Sequence, residues 1–546
     1  MKKKWWKEAV VYQVYWRSFY DTNGDGYGDL QGVIEKLDYI KELGVDVIWL
    51  NPCYESPDVD NGYDISDYYG VMEKAGDMET LERLIAEVHK RDMKIIMDLV
   101  VNHTSNQHPW FFESASSKDN PKRDWYIWKD PHPETGFVPN NWRSYFAPSV
   151  WEYDSQTEQY YMHSFAVEQP DLNWENEEVR HAIYEMMRFW LDKGINGFRM
   201  DVINLLAKLE GFPDAENPYD ISYLGNNPGI HEYLQEMHEK VLRHYDVMTV
   251  GEIPFVTPED GVLYTGEDRK ELNTLFHFEV ADNMATWDML RYKEIQKRWY
   301  EGLKDKGWNS QFLNNHDHTR QVTRYGNDGK YRIESAKLLA TLVHTLPGMP
   351  YIYQGEEIGM TGVRFDSIDD YNDIAMKNKY KEEVGKGRDP KEVFESLLLL
   401  SRDNSRTPVH WNSDKNAGFS TGKPWINVNP NYKDINVEKA LEDENSVFYF
   451  YKKLIQLRKE NEVMVYGDFE DLSEGDERLY MYTREYEGVK WLVILNHSDE
   501  EYNLTLPISL SKMKKTLILA NYVDVTSNSE INETILRPHE ARIFSL

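Results

Sequence analysis

Three acidic residues stand where short apolar runs end: Asp201 closes Gly-Phe-Arg-Met-Asp, Glu252 closes Thr-Val-Gly-Glu, and Asp317 closes Asn-Asn-His-Asp. If those runs are parallel strands ending on one face, the three carboxyls meet in one pocket, where desolvation and like charge make the cluster costly to fold. Such a cost is tolerated mainly for chemistry. Two facing carboxyls can cut an acetal: one attacks the anomeric carbon while the other protonates the leaving oxygen, and in retaining enzymes they stand about 5 to 5.5 Å apart. Asp201 and Glu252, ending consecutive runs, suit these two roles. Arg199, two residues before Asp201, points to the same side of its strand and keeps a neighbouring carboxylate ionised. Each acid taken singly is as well explained as a strand-end cap or an ion-pair partner; the three together favour catalysis.

The elements that must hold these acids follow from an alternation of short apolar strands with longer amphipathic helices. Strands are expected at 9–16, 46–50, 94–101, 197–202, 247–252, 274–280, 310–313 and 351–353, and helices at 29–44, 77–92, 176–194, 230–245, 284–307, 332–346 and 446–461. Eight strands close a (β/α)8 TIM barrel of the α/β class, whose chemistry sits at the C-terminal strand ends. Residues 104–175, rich in Pro, Asn, Trp and Asp and without helical period, read as a small inserted domain after strand three, since so long a segment is usually functional. Short alternating strands at 479–483, 491–496, 502–506 and 517–520 predict a C-terminal antiparallel β-sandwich over 466–546, leaving 1–103 and 176–465 for the barrel.

The 94 acidic against 62 basic residues leave a net charge of −32, which disfavours nucleic acid and anionic membrane as partners and suits a small neutral or cationic ligand. The lone Cys53 cannot form an internal bridge, and Lys2, Lys3 and Lys4 run into Trp5 and Trp6 without the apolar core of a secretory signal. No run approaches the ~20 apolar residues of a membrane span. A cytoplasmic monomer without an organic cofactor is expected. The stretch Asp21-Thr-Asn23-Gly-Asp25-Gly-Tyr27-Gly-Asp29 offers oxygen ligands at alternate positions, with glycines for a tight loop, as the first part of an EF-hand does. A structural Ca²⁺ is therefore expected there, the alternative being a Gly/Asp-rich turn that holds no ion.

Four segments carry a family resemblance. Asp98-Leu-Val-Val-Asn102-His103, Gly197-Phe-Arg-Met-Asp201, Val250-Gly-Glu252 and Asn315-His-Asp317 resemble, in order, the signature segments of the α-amylase superfamily of glycoside hydrolases. Gln169-Pro-Asp-Leu-Asn173 and Arg402-Asp-Asn-Ser-Arg406-Thr-Pro resemble its oligo-1,6-glucosidase branch. The resemblance implies Asp201 as nucleophile, Glu252 as general acid/base and Asp317 as the acid that binds sugar hydroxyls, with His103 and His316 bonding the same sugar. It also implies that Asp60 and Tyr63 hold a non-reducing glucose together with Gln169, Asp60 pairing with Arg406 or, failing that, Arg402. Such a pair closes the pocket and makes the enzyme exo-acting. Phe146 and Phe165 are candidate apolar walls, or equally packing within the inserted domain. Val202, beside Asp201, accompanies α-1,6 cleavage in the family, so isomaltose and short α-1,6-linked oligosaccharides are the expected substrates, with α-1,4 links as a further possibility. Trehalose-6-phosphate hydrolase and sucrose isomerase are the alternatives within the family, and a catalytically inactive carbohydrate-binding or scaffold protein the alternative of another class. His318-Thr319 and Val409-His410 depart from the commonest glucosidase pattern and bear on the aglycone preference.

Overall fold

In the computed structural model, which describes residues 3–526 and 531–546, eight short parallel strands form one sheet: β1 (Val11–Val14), β2 (Val47–Leu50), β3 (Lys94–Leu99), β4 (Gly197–Met200), β5 (Met248–Glu252), β6 (Thr274–Phe276), β7 (Ser310–Gln311) and β8 (Met349–Tyr353). Each pairs with its sequence neighbours, β8 returns to pair with β1, and a single parallel bridge between Leu275 and Asn309 joins β6 to β7, so the ring closes. The strands are buried on both faces, which is why most of them read as largely apolar runs, β7 (Ser-Gln) being the exception. At Gly197 a Cβ would lie 1.8 Å from the Met248 carbonyl oxygen, and φ is +141°. Only glycine lets β4 approach β5 there, and those two strands carry Asp201 and Glu252.

The outer helices begin on capping side chains. Asp77 accepts from the Thr80 N–H ahead of Met78–Lys90, Asn176 caps Glu177–Asp192, Asp288 caps Met289–Leu303 and Ser446 caps Val447–Glu460. Their buried faces, such as Leu81, Leu84, Ile85 and Val88, pack on the strands in one continuous core.

Several elements differ from the sequence expectation. The helix expected over 29–44 is two, Leu30–Glu35 and Leu37–Leu43, broken at Lys36, where ψ is 4° and the ammonium lies 4.0 Å from the Tyr20 ring centre and 4.3 Å from that of Trp411. β6 stops at Phe276, and the chain turns into a short helix, Glu279–Asn283. The inserted segment has a helix after all, Pro109–Ser116, started by Pro109 at its first position and a His108 cap. Its other part is a three-stranded antiparallel sheet of Trp128–Lys129, Gln159–Met162 and Trp151–Asp154. Between β8 and Val447 the chain forms further helices, of which Ile374–Gly385 and Pro390–Leu397 lie at the mouth of the barrel. There Asn378 donates to the Phe146 carbonyl of the inserted segment at 3.0 Å.

After residue 467 the chain is antiparallel β. Five strands, Asp468–Asp471, Leu479–Tyr486, Val489–Asn496, Ala541–Ser545 and Thr516–Ala520, form one sheet in that spatial order. Tyr502–Thr505 pairs separately with Glu533–Leu536, and Leu492, Ile494, Leu504, Leu536 and Phe544 share a core between the two sheets.

Candidate active site

Asp201 directly follows β4 and Glu252 ends β5, and both are bound by one guanidinium. Arg199 Nη1 lies 2.6 Å from Asp201 Oδ1 and 2.7 Å from Asp98 Oδ1, and Nη2 donates to Glu252 Oε2. Arg199 is 1% exposed and Asp98 fully buried, so these charges interact in a medium that screens them little. Asp98 is further held by the Trp49 indole N–H at 2.6 Å and the Tyr63 hydroxyl at 3.2 Å. Asn51 donates in turn to that hydroxyl at 2.9 Å.

The two carboxyls titrate apart. Burial pushes Asp201 up to about 6, opposed chiefly by Arg199. Burial pushes Glu252 up to about 8, again against Arg199 and with the Asp201 and Asp317 charges adding to the rise. Near neutral pH Asp201 is therefore ionised while Glu252 keeps its proton, the division of states that a nucleophile and a general acid require.

Val202 has φ 35° and ψ 44°, a left-handed conformation rare for a β-branched residue. This turn aims the Val202 N–H at Glu252 Oε2, 3.2 Å away. Strain at this point sits against the reacting groups.

Asp317 follows β7 in the loop 312–320. Its Oδ1 accepts from Arg406 Nη2 at 2.6 Å and lies 3.6 Å from Arg402 Nη1, and its Oδ2 lies 3.0 Å from His316 Nε2. Burial opposes ionisation, but His316, Arg406 and Arg402 outweigh it and hold the carboxyl well below the usual range. Gln13 Nε2, which also donates to Asn51 Oδ1, lies 2.9 Å from His316 Nδ1. That assignment makes Nδ1 an acceptor and leaves Nε2 as the N–H. The ring is stacked on Tyr63 with centroids 5.4 Å apart.

The sugar-end residues also converge, with one correction. Asp60 pairs with Arg402, not Arg406: Arg402 Nη1 is 3.3 Å from Asp60 Oδ1, while Arg406 is committed to Asp317 and to the His316 carbonyl. Arg402 stands just before one short helix, Asp403–Arg406, and Arg406 ends it, and the two fan apart, a divergence that spacing in a loop does not reveal. Asp373 fixes Arg402 by accepting from its Nε and its backbone N–H, both at 2.8 Å. Gln169 Nε2 lies 3.2 Å from both Asp60 Oδ2 and His103 Nε2. His103 Nε2 is also 3.1 Å from the Tyr63 carbonyl, so its ring is anchored within the protein. Phe165 packs 5.1 Å from the His103 ring and 4.8 Å from the Tyr145 ring within the inserted segment, and Phe146 lies 5.0 Å from the Arg402 guanidinium, so both border the sugar-end residues while Phe165 also serves the packing of the insert.

Asp98 and Trp49 were within reach of the strand-end signal, since β3 and β2 end beside them. Asp373 and Gln13 had none: one lies in a stretch without period, the other inside an apolar run.

The Asp21–Asp29 loop is a tight turn with Gly24 at φ 81° and Gly26 at φ 97°. Asp21 accepts from the N–H groups of Asn23, Gly24 and Gly26, Asn23 donates to Asp25 at 3.2 Å, and Asp29 accepts from Thr22 and caps the following helix. Among the described residues no group of three or more His, Cys, Asp or Glu is gathered as a metal cluster. The side chains of Asp21, Asn23, Asp25 and Asp29 offer hard oxygens, the donor type Ca²⁺ takes, and in this structure they are engaged in the turn's own hydrogen bonds.

Among the described residues no helix is long and apolar enough to cross a membrane.

Residues 13–467 match the model of the α-amylase catalytic domain. The chain is 53% identical over 562 residues to the oligo-1,6-glucosidase of Parageobacillus thermoglucosidasius, covering 100% of both chains. The crystal structure of trehalose-6-phosphate hydrolase from Bacillus licheniformis is similar at 48% identity and a TM-score of 0.94, with 100% of both chains covered. A mutant isomaltulose synthase from Erwinia rhapontici in complex with sucrose is similar at 42% identity and a TM-score of 0.95, covering 100% of this chain and 99% of that one. With the barrel, the carboxyl trio on its C-terminal face and a family match over most of its length, the chain belongs to the α-amylase family of glycoside hydrolases.

Proposed function

We propose that the protein is a retaining, exo-acting α-glucosidase that releases glucose from the non-reducing end of isomaltose and short α-1,6-linked oligosaccharides. The observation that carries this reading is the attachment of Asp201 and Glu252 to the same guanidinium. The two carboxyls are also within hydrogen-bond reach of each other, so they do not leave the gap of about 6.5 to 9.5 Å that an inverting enzyme needs for its water. Asp201 attacks the anomeric carbon as Glu252 passes its proton to the glycosidic oxygen, and the aglycone leaves. Glu252, now ionised, takes a proton from water, which displaces Asp201 and returns the sugar with its configuration retained. Arg199 favours the ionised form of Asp201 before it attacks and after water releases it. Asp317, Asp60 and Arg402 hold the terminal glucose and close the pocket beyond it, while His316 Nε2–H is placed to bond the ring.

The charge pattern around the pocket favours a neutral substrate over a phosphorylated one. Arg143 is paired with Glu382 at 3.4 Å, Lys208 with Asp171 at 2.7 Å, Arg402 with Asp60 and Asp373, and Arg406 with Asp317. A phosphate would have to displace one of these partners. The relative named as an oligo-1,6-glucosidase supports the same choice. Glucose release from isomaltose, maltose, sucrose, trehalose and trehalose 6-phosphate, measured side by side, tests the reading. Isomaltose should lead; preference for trehalose 6-phosphate, isomerised sucrose, or no reaction would move the assignment to a phosphohydrolase, an isomerase or a binding protein.

The same proposal includes Ca²⁺ on Asp21, Asn23, Asp25, Tyr27 and Asp29 in a structural role, a monomer, and a cytoplasmic location, the last supported by the single unpaired, buried Cys53. Chelation should lower the melting temperature and added Ca²⁺ restore it, whereas an unchanged melting temperature would remove the ion.

A further inference from the structure

At the opposite end of the barrel from the carboxyls, the start of β7 and the C-terminal sheet leave a cleft of about 290 Å³. Its barrel wall carries Trp308 and Tyr300, and its C-terminal wall Tyr466, Phe469 and Tyr486. The Tyr and Phe rings are only half-buried, so aromatic surface from two domains faces one water-filled space. The floor is polar. Gln311 Nε2 donates to Gln296 Oε1 at 3.0 Å and to the Pro347 carbonyl at 2.9 Å, which leaves Gln311 Oε1 and Gln296 Nε2 without a hydrogen-bond partner among the described residues. Both side chains are more than nine-tenths buried, as is Trp308, whose indole N–H is buried without a partner.

A buried donor left unmatched is unusual in a folded protein, where such groups nearly always find partners. Here the residue that carries that donor, Trp308, lines the same cleft as Gln296 and Gln311, beneath aromatic rings. That combination suits a ligand with apolar C–H faces and an equatorial girdle of hydroxyls, each able to donate and accept. An anionic ligand is not favoured, because the cation at the rim, Lys304, lies 2.7 Å from Asp468, which also accepts from the Tyr300 hydroxyl at 3.0 Å, and Asp305, Glu485 and Glu487 line the same cleft. The volume lies at the small end of ligand pockets and holds one ring, not a chain.

We propose that this cleft is a second carbohydrate site, distant from the catalytic carboxyls, that binds a single neutral hexopyranose such as glucose. The indole N–H of Trp308 and the free amide atoms of Gln296 and Gln311 bond its hydroxyls, and the half-buried rings cover its C–H face. The assignment stands apart from the catalytic roles, since it concerns only binding.

Equilibrium dialysis of labelled D-glucose against the intact chain tests it. Two saturable sites per chain are expected, one in the catalytic pocket and one in the cleft. Trp308→Phe, which keeps the ring and removes the N–H, and Gln311→Leu should each weaken the second site at least tenfold, with kcat/KM on isomaltose within twofold of the parent. The retained turnover shows that the variants fold, and either variant suffices should the other not. One site per chain in the parent, two undiminished sites in the folded variants, or equal displacement of the second glucose by open-chain sorbitol would overturn the proposal.

Discussion

Replacing Glu252 by Gln isolates the acid/base half of the mechanism because it keeps the size and the bond to Arg199 while removing the proton. In the parent the active form has Asp201 ionised and Glu252 protonated, so kcat/KM should rise with pH through about 6 and fall through about 8. With those two limits about four-fifths of the enzyme is competent near pH 7, and about a tenth near pH 5 or pH 9. Gln cannot donate a proton, so turnover of isomaltose, whose sugar leaving group needs that proton, should drop by about 10² to 10⁴, or about 3 to 5 kcal/mol of barrier. The alkaline limb should vanish as well, because the group that caused it is gone, while the acid limb from Asp201 stays. A 4-nitrophenyl α-glucoside, with a leaving group that needs little protonation, should lose far less in its first step. The assay is kcat/KM against pH for both substrates in both proteins. A variant that keeps a fall near pH 8, or that loses both substrates equally, would refute Glu252 as the general acid.

Asp201→Asn should abolish nearly all turnover and stabilise the fold. Asp201 sits at about 6 in the protein against about 4 unfolded, so the parent carries a cost that is absent below about pH 4, grows as the pH rises, and is complete above about pH 6, at about 3 kcal/mol. The variant's gain in urea-melt stability should follow that course, and a gain independent of pH would contradict it. Arg402→Met leaves Asp60 and Asp373 buried without their cation; it should cost about 3 to 5 kcal/mol in a denaturant melt and raise KM for isomaltose more than it lowers kcat, and a melt and KM like the parent's would remove its role. Val202→Thr should raise maltose cleavage relative to isomaltose in paired kcat/KM measurements, and an unchanged ratio would place linkage choice elsewhere.

The fold was legible where packing speaks through period and composition. Strands buried on both faces leave apolar runs, and the acids that end them stand out because nothing about packing calls for a charge there; Asp201, Glu252 and Asp317 were found in this way. What lay beyond reach depends on direction in space. Arg402 and Arg406 stand at the two ends of one short helical turn, and only the folded chain shows one turning to Asp60 and Asp373 and the other to Asp317. Asp373 and Gln13 act through contacts across more than two dozen to three hundred residues of chain, with no local signal. The helix break at Lys36 goes with an ammonium over two rings, one of them Trp411, far along the chain. The left-handed turn at Val202 runs against the preference of its own side chain and is held by the groups around Glu252, so local propensity points the other way.

The central claim, that Asp201 carries the sugar during turnover, is tested most directly by trapping the intermediate with an activated fluoro-α-glucoside that forms the glycosyl-enzyme quickly and hydrolyses it slowly, followed by peptide mass spectrometry. The account predicts one added glycosyl unit per chain, located on Asp201 and absent from Asp201→Asn. A label on another residue, or complete turnover of an α-glucoside with inversion and no adduct, would contradict it.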